Sequence, residues 1–306
     1  MIKILHRDVN ALALRHYQTL VDYLKTANLK NRIEAINCKI QKRLGNGMDF
    51  KRLVMATPEM LEKLAKDCDK SHNEEFSFFK TLYRYFSTEN KLSHNGNPYN
   101  GLTLVNDLDL SVCPYCNRNF ILNTSKDGRR TCDFDHFFPS GEFPFLAVSF
   151  FNLIPSCKFC NQAKNDDWNT RPDKMLINPY ESDERFPFDA KFQVKIKGTA
   201  FYYKLEDIEV MFKDDCISER FKNHIEAFHL DNLYKHHSDY VIELIQKKYL
   251  YSEEYLNALF KQYEGSIFRN REDILRLVTT NFVDEKDLKN RPLAKLTRDV
   301  VAQLNL

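Results

Sequence analysis

Apolar residues recur three and four positions apart from the start of the chain to about residue 90, and again after residue 218. Ala13, Tyr17, Leu20, Val21 and Leu24 share one helical face, and Ile33, Ile36, Ile40 and Leu44 share another. Thr57-Pro58 predicts a helix start, with a capping hydroxyl followed by proline in the first turn. Leu61, Leu64 and Cys68 then line one side. Phe79, Leu82, Tyr83 and Phe86 predict a further helix. Its aromatic stripe has the spacing of a base-stacking platform, but at helical period a core face is the commoner use. In the C-terminal part, three groups read the same way: Phe221, Ile225 and Phe228; Val241, Leu244, Ile245 and Tyr249; Leu256, Leu259, Phe260 and Tyr263. Leu293, Leu296, Val300 and Leu304 form a last seam after Pro292.

Between these regions the pattern changes. Residues 93–101 (SHNGNPYNG) are turn-forming throughout and predict a boundary. From Cys113 to about Lys174 the helical period is lost. Phe192, Val194 and Ile196 then alternate with polar residues, predicting a small strand pair that runs to about Phe212 and closes near Gly198. No internal repeat or low-complexity tract is present. The expected fold is α+β and mostly α: a helical region over 1–92, a compact module over 102–215, and a helical region over 216–306.

Composition supports long helices more than a glycine-rich sandwich, with 24 Phe and 15 Tyr against 8 Gly in 306 residues. The net charge is only +2, so any surface for nucleic-acid phosphates must be local or completed by a partner. Charged residues interrupt the N-terminal segment, and no stretch approaches the roughly 20 apolar residues of a membrane span. The expectation is a cytoplasmic protein, where eight cysteines point to metal binding before disulfides.

Four of those cysteines form two C-x-x-C turns, Cys113-Pro-Tyr-Cys116 and Cys157-Lys-Phe-Cys160. Each turn presents two thiolates to one side of a tetrahedral zinc, and two turns close the site. The zinc expected here is structural. The remaining Cys38, Cys68, Cys132 and Cys216 are expected to be reduced, buried thiols. Between the two turns lie Asp133-Phe-Asp135-His136, then Asn152, and Asn161 follows the last cysteine. Zinc would draw both ends of the segment together and bring Asp135, His136 and Asn161 into one neighbourhood. These residue types suit phosphodiester hydrolysis. An imidazole with a reference pKa near 6.5 can deprotonate water at neutral pH. Asp135 and Asn161 offer hard oxygens to Mg²⁺ or Mn²⁺, with phosphate and water completing the shell. Asn152 is expected to brace the loop and aim His136.

The motif CPYC…DFDHFFPSGEF…NLIPSCKFCNQAK, over roughly residues 113–165, resembles the HNH endonuclease superfamily in a zinc-stapled form. The resemblance implies a ββα-metal module in which His136 is the general base, Asp135 and Asn161 hold the catalytic metal, and Asn152 is the structural central asparagine. The last signature position is Asn161 where many members carry histidine. The loop between the turns, Asn178-Pro179-Tyr180, Phe228-His229-Leu230 and the run from Arg291 to Leu296 resemble the HNH subunits that accompany an ATPase in Septu-type anti-phage systems. Similar nucleases accompany some retrons. That resemblance implies an ATPase partner and a nucleic-acid target, DNA before structured RNA such as tRNA. Residues 1–90 match no family pattern.

Weaker signals surround the motif. Asp133 would share a strand face with Asp135. Lys164, Lys158 and Arg171 are candidate phosphate contacts, and Arg129-Arg130 is placed on a hairpin. His224, His229, His236 and His237 are read as capping and packing residues. Two other functional classes stay open: a zinc-stabilised nucleic-acid-binding module without chemistry, and an interaction protein whose helical arms matter most.

Overall fold

The computed structural model describes residues 1–26, 30–68, 70–124, 129–188, 190–213 and 218–305. The chain is a mostly helical α+β protein whose described strands form small two-stranded antiparallel sheets. It divides into two compact units. One comprises Lys3–Leu110 with Ile121–Phe186, and the other Met1–Ile2, Ser111–Phe120 and Pro187–Leu306. The turn-rich run 93–101 lies inside the first unit, and the expected division at 215/216 falls outside the described residues.

The first unit opens with α1 (Val9–Thr26), α2 (Lys30–Leu44), α3 (Phe50–Val54), α4 (Pro58–Asp67) and α5 (Ser77–Ser87). Local chemistry sets several starts. The Asp49 carboxylate accepts the Arg52 N–H at 2.8 Å, and the Thr57 hydroxyl accepts the Met60 N–H at 3.4 Å with Pro58 beginning α4. On α2, Ile36 and Ile40 face inward and Cys38 is exposed. Two residues from each isoleucine is a rotation of about 200°, which corrects the expectation that Cys38 is buried. Cys132 is buried, Cys68 is half-buried, and Cys216 lies outside the described residues.

A hairpin of β1 (Ser93–His94) and β2 (Asn97–Pro98) turns through Gly96 at φ +80°, a left-handed conformation that favours glycine. Then follow α6 (Gly101–Asp107), capped by Asn100, and the short pair β3 (Asn123–Thr124) and β4 (Arg129–Arg130). The side chains of Arg129 and Arg130 are outside the described residues. Strand β5 (Asp133–His136) pairs with β6 (Leu153–Ser156), Asp133 opposite Ser156 and His136 opposite Leu153. Helix α7 (Lys158–Lys164) packs on β5. Aromatic contacts join this pair and its connecting loop to the N-terminal region: Phe86 of α5 meets Phe134 at 5.8 Å, and Phe76, just before α5, meets Phe145 of the loop at 5.7 Å.

In the second unit β7 (Phe192–Ile196) pairs with β8 (Ile208–Phe212), Phe192 opposite Phe212. Gly198 sits beside the Asp207 carboxylate, which a Cβ there would meet at 2.4 Å. The helices are α8 (Glu219–Ala227), α9 (Leu230–Lys235), α10 (Ser238–Leu250), α11 (Glu253–Tyr263), α12 (Arg271–Thr279) and α13 (Ala294–Leu304). Helix α13 finishes the outer edge of β7. Asp299 accepts the Phe192 N–H at 2.9 Å, and Gln303 bonds both the N–H and the carbonyl of Val194 at 2.8 Å. Val241, Leu244 and Ile245 are buried as the spacing predicts, but Tyr249 at the end of α10 is 65% exposed. His224 is buried against Tyr115, Phe221 and Phe228, a packing role. No described helix is long and apolar enough to cross a membrane.

His16 of α1 is fully buried in the first unit. Its Nε2 lies 3.1 Å from the Val148 carbonyl, and its Nδ1 lies 3.1 Å from the Tyr99 hydroxyl. The neutral tautomer donates from Nε2 and accepts at Nδ1, which satisfies both. Burial outweighs the Val148 carbonyl and lowers the pKa to about 4. The unfolded histidine titrates near 6.5, so below that pH the unfolded chain binds a proton that the folded chain refuses. Stability held above pH 6.5 is lost as pH falls toward 4. Between pH 7.5 and 5 the loss from this residue is about 2 kcal/mol. Urea unfolding of wild type and His16→Gln at both pH values checks this. The variant's stability should fall less, and equal losses would remove His16 as the source.

Candidate functional site

Consecutive backbone carbonyls around residue 147 organise the candidate site. The segment from Pro139 to Asn152 returns β5 to β6 as a loop with two 3₁₀ turns, Pro144–Leu146 and Phe150–Asn152. Asn152 is fully buried and closes it. Its side-chain oxygen accepts the Phe138 N–H at 2.7 Å, and its amide donates to Phe138 O at 3.2 Å and Leu146 O at 3.0 Å. Two more buried asparagines hold the surroundings. Asn169 donates to Phe137 O at 2.7 Å, and Asn178 to Phe151 O at 2.9 Å.

This loop aims Ala147 O at His136, whose Nε2 lies 3.0 Å away. A carbonyl can only accept, so Nε2 carries the proton. Nδ1 is then the ring's basic nitrogen. Burial lowers the pKa of His136 below the ordinary histidine value, against the opposing pull of Ala147 O, Asp135 and Asp166. The imidazole is therefore neutral at pH 7. Tyr83 of α5 meets the ring edge-on, with centroids 4.4 Å apart.

Two side-chain pairs and one backbone contact join β5 to α7. Asn161 Nδ2 donates to Asp133 Oδ2 at 3.3 Å, and Lys164 Nζ donates to Asp135 Oδ1 at 3.1 Å. The same ammonium donates to His136 O at 2.8 Å. Asp135 and Lys164 are 6% and 1% exposed. Lys164, expected on the surface as a phosphate contact, is instead the buried counter-ion of Asp135. Three residues after Asn161 on α7, it faces β5 with it. Lys158 and Arg171 are exposed, and Arg171 lies 3.7 Å from Asp173.

Cys113, Cys116, Cys157 and Cys160 are all buried, with their sulfurs within 4.8 Å of one another. A tetrahedral zinc with bonds of about 2.3 Å needs sulfurs about 3.8 Å apart, which this cluster can accommodate. Backbone bonds shape both turns: Asn117 N–H to Cys113 O at 2.8 Å, and Asn161 N–H to Cys157 O at 3.0 Å. Among the described residues, the carboxylates near His136 form no comparable group of three or more ligands. Asp133, Asp135 and the Asn161 carbonyl are hard donors suited to Mg²⁺ or Mn²⁺ if phosphate and water complete the shell. A cation at Asp135 would have to compete with the Lys164 ammonium.

Sequence reasoning missed two contributors. Tyr83 was assigned to the core stripe of α5, and His16 carried no motif. Only the buried neighbours that flank each on its helix hinted at an inward face.

No family model and no solved structure matches the chain. A distant curated relative is Septu protein PtuB of Bacillus thuringiensis, 33% identical over 84 residues. The match covers 28% of this chain and 30% of that protein, less than a third of either.

Two predictions follow from the cysteine cluster and the Asp135–Lys164 pair. Elemental analysis should find one zinc per chain, and Cys157→Ser should lose it together with the cooperative unfolding transition, since structural zinc supplies folding free energy. Retention of zinc by that variant would refute a four-thiolate site. Lys164→Met should cost about 3–5 kcal/mol in urea unfolding by stripping a buried carboxylate of its ammonium. Adding Asp135→Leu should restore much of that loss, and a double variant no more stable than the single one would sink the explanation.

Proposed function

We propose that the chain is a metal-dependent HNH-type endonuclease and the nuclease component of a Septu-type anti-phage system. The observation that carries this reading is the state of His136: neutral, with Nε2 committed to Ala147 O and Nδ1 as its basic nitrogen. That is the state a general base needs to take a proton from water attacking a phosphodiester. Asp135 and Asn161 lie on adjoining elements, and Asn152 holds the loop that aims the imidazole. The motif's resemblance to zinc-stapled HNH enzymes and the distant likeness to Septu protein PtuB support the same reading.

In the proposed reaction His136 Nδ1 removes a proton from water, which attacks phosphorus in line with the leaving 3′-oxygen. The polarity taken from the superfamily resemblance is a 3′-hydroxyl and a 5′-phosphate. A hard divalent cation at Asp135 and Asn161 would neutralise charge on the phosphate and the leaving oxygen. DNA is the proposed substrate. Backbone contacts should dominate and sequence preference should be low. The resemblance to Septu-type subunits supports an ATPase partner that restrains or delivers the nuclease.

Nicking of supercoiled plasmid, with Mg²⁺ or Mn²⁺ and with EDTA, tests the assignment. Wild type should cleave only with metal, and His136→Ala should lose roughly 10²- to 10⁴-fold in rate while keeping its zinc and its fold. Undiminished cleavage by His136→Ala would overturn the role of the imidazole. An inert, folded wild type would move the proposal to a structured RNA target or to a nuclease active only with its partner.

A further inference from the structure

We infer that Tyr83, on a helix outside the motif, is the positioning residue that fixes the orientation of the His136 imidazole. The inference rests on the nuclease reading of His136. A hydrogen bond from Nε2 to Ala147 O tethers one edge of the ring. One tether leaves the ring able to turn about it, and such a turn would sweep Nδ1 through a range of directions. The Tyr83 ring limits that turn, standing against the imidazole with centroids 4.4 Å apart and planes at 63°. Edge-to-face packing of this kind is directional as well as apolar.

The rest of α5 separates this role from ordinary core filling. Phe79, Leu82 and Phe86 are 3%, 0% and 1% exposed, and Phe86 packs on Phe134. Tyr83 shares their stripe but is only half-buried, and its ring meets His136. Phe134 and His136 alternate with Asp133 and Asp135 along β5, so the face of the strand turned to α5 is the one carrying the imidazole. The Tyr83 hydroxyl donates to Phe134 O at 3.4 Å, a long bond, while the ring meets the imidazole directly. The aromatic ring should therefore matter more than the hydroxyl.

Tyr83→Phe keeps the ring, and Tyr83→Leu keeps apolar volume without it. In the zinc-loaded 306-residue chain, Tyr83→Leu should lower kcat for plasmid nicking by about 10- to 100-fold, the range expected when a reacting group is misplaced by about 1 Å, with KM nearly unchanged. Tyr83→Phe should stay within about threefold of wild type if the contact is mainly through the ring. The ¹⁵N shifts of the His136 imidazole give a readout independent of activity. All three should keep the Nε2-protonated tautomer, but wild type and Tyr83→Phe should show one sharp Nδ1 resonance where Tyr83→Leu shows an exchange-broadened or shifted one. Wild-type kcat and a sharp, unshifted Nδ1 resonance in Tyr83→Leu would overturn the inference, as would a loss in Tyr83→Phe equal to that in Tyr83→Leu. If wild type does not cleave plasmid, the nuclease reading moves to an RNA target or a partner-dependent enzyme, and the ¹⁵N comparison decides the role of Tyr83 on its own.

Discussion

The buried side chain of Asn152 is the constraint on which the candidate site depends. Three hydrogen bonds from one amide, to Phe138 N–H, Phe138 O and Leu146 O, close a loop with no regular sheet or α-helix to satisfy its backbone. Buried backbone groups left unpaired cost about 1–3 kcal/mol each, so a loop of this kind persists only where side chains stand in for secondary structure. Asparagine suits the task because it offers acceptor and donors on one short stem. Aspartate would lose both donated bonds.

The carbonyls that follow extend the same logic. Leu146 O goes to Asn152, Ala147 O to His136 and Val148 O to His16, while the Ser149 hydroxyl donates to Leu53 O at 2.8 Å. Four successive residues are thus tied to the loop itself, to β5, to α1 and to the end of α3. The helices that match no family pattern are not appendages in this arrangement. They hold the two residues after Ala147, whose carbonyl determines which imidazole nitrogen carries the proton. A proton forced onto His16 would break its neutral pattern of bonds one residue from that carbonyl.

Much of this was legible wherever the determinant was local. Thr57-Pro58 marked a helix start because a cap acts within one turn, and the paired C-x-x-C turns announced a thiolate cluster because metal geometry restricts spacing. The alternation from Phe192 to Phe212 announced a strand pair for the same reason. The rest depends on contacts between distant parts of the chain. Tyr83 and Phe134 are 51 residues apart, and His16 and Val148 are 132 apart, distances over which periodicity carries no signal. Tyr249 fits its helical stripe yet faces outward, since a stripe cannot say where the core ends. Lys164 was assigned to the surface on the general preference of lysine for water. Its burial follows from a carboxylate on the facing strand, a partner the sequence does not pair with it.

The two side-chain pairs between β5 and α7 set the electrostatics of this face. Asp133 and Asp135 lie about 6.6 Å apart along a strand, and Asn161 and Lys164 about 4.5 Å apart along a helix. The elements are close enough in spacing for each carboxylate to find its own partner. At Asp135 the partner is a cation, and the pair is neutral and buried. At Asp133 the partner named by the geometry is an uncharged amide. An ionised carboxylate accepts hydrogen bonds and does not donate them, so the Asn161 NH₂ must be the group turned to Asp133. Its carbonyl is thereby turned away, available as a hard donor. In the proposed enzyme, a cation entering this face meets the Asp133 carboxylate, whose partner on α7 is an uncharged amide, and an amide oxygen already oriented by that contact. Taking Asp135 as well requires displacing Lys164 from a contact in which the ammonium also holds His136 O. In the proposed enzyme, metal occupancy and the position of the general base would be coupled through one buried lysine.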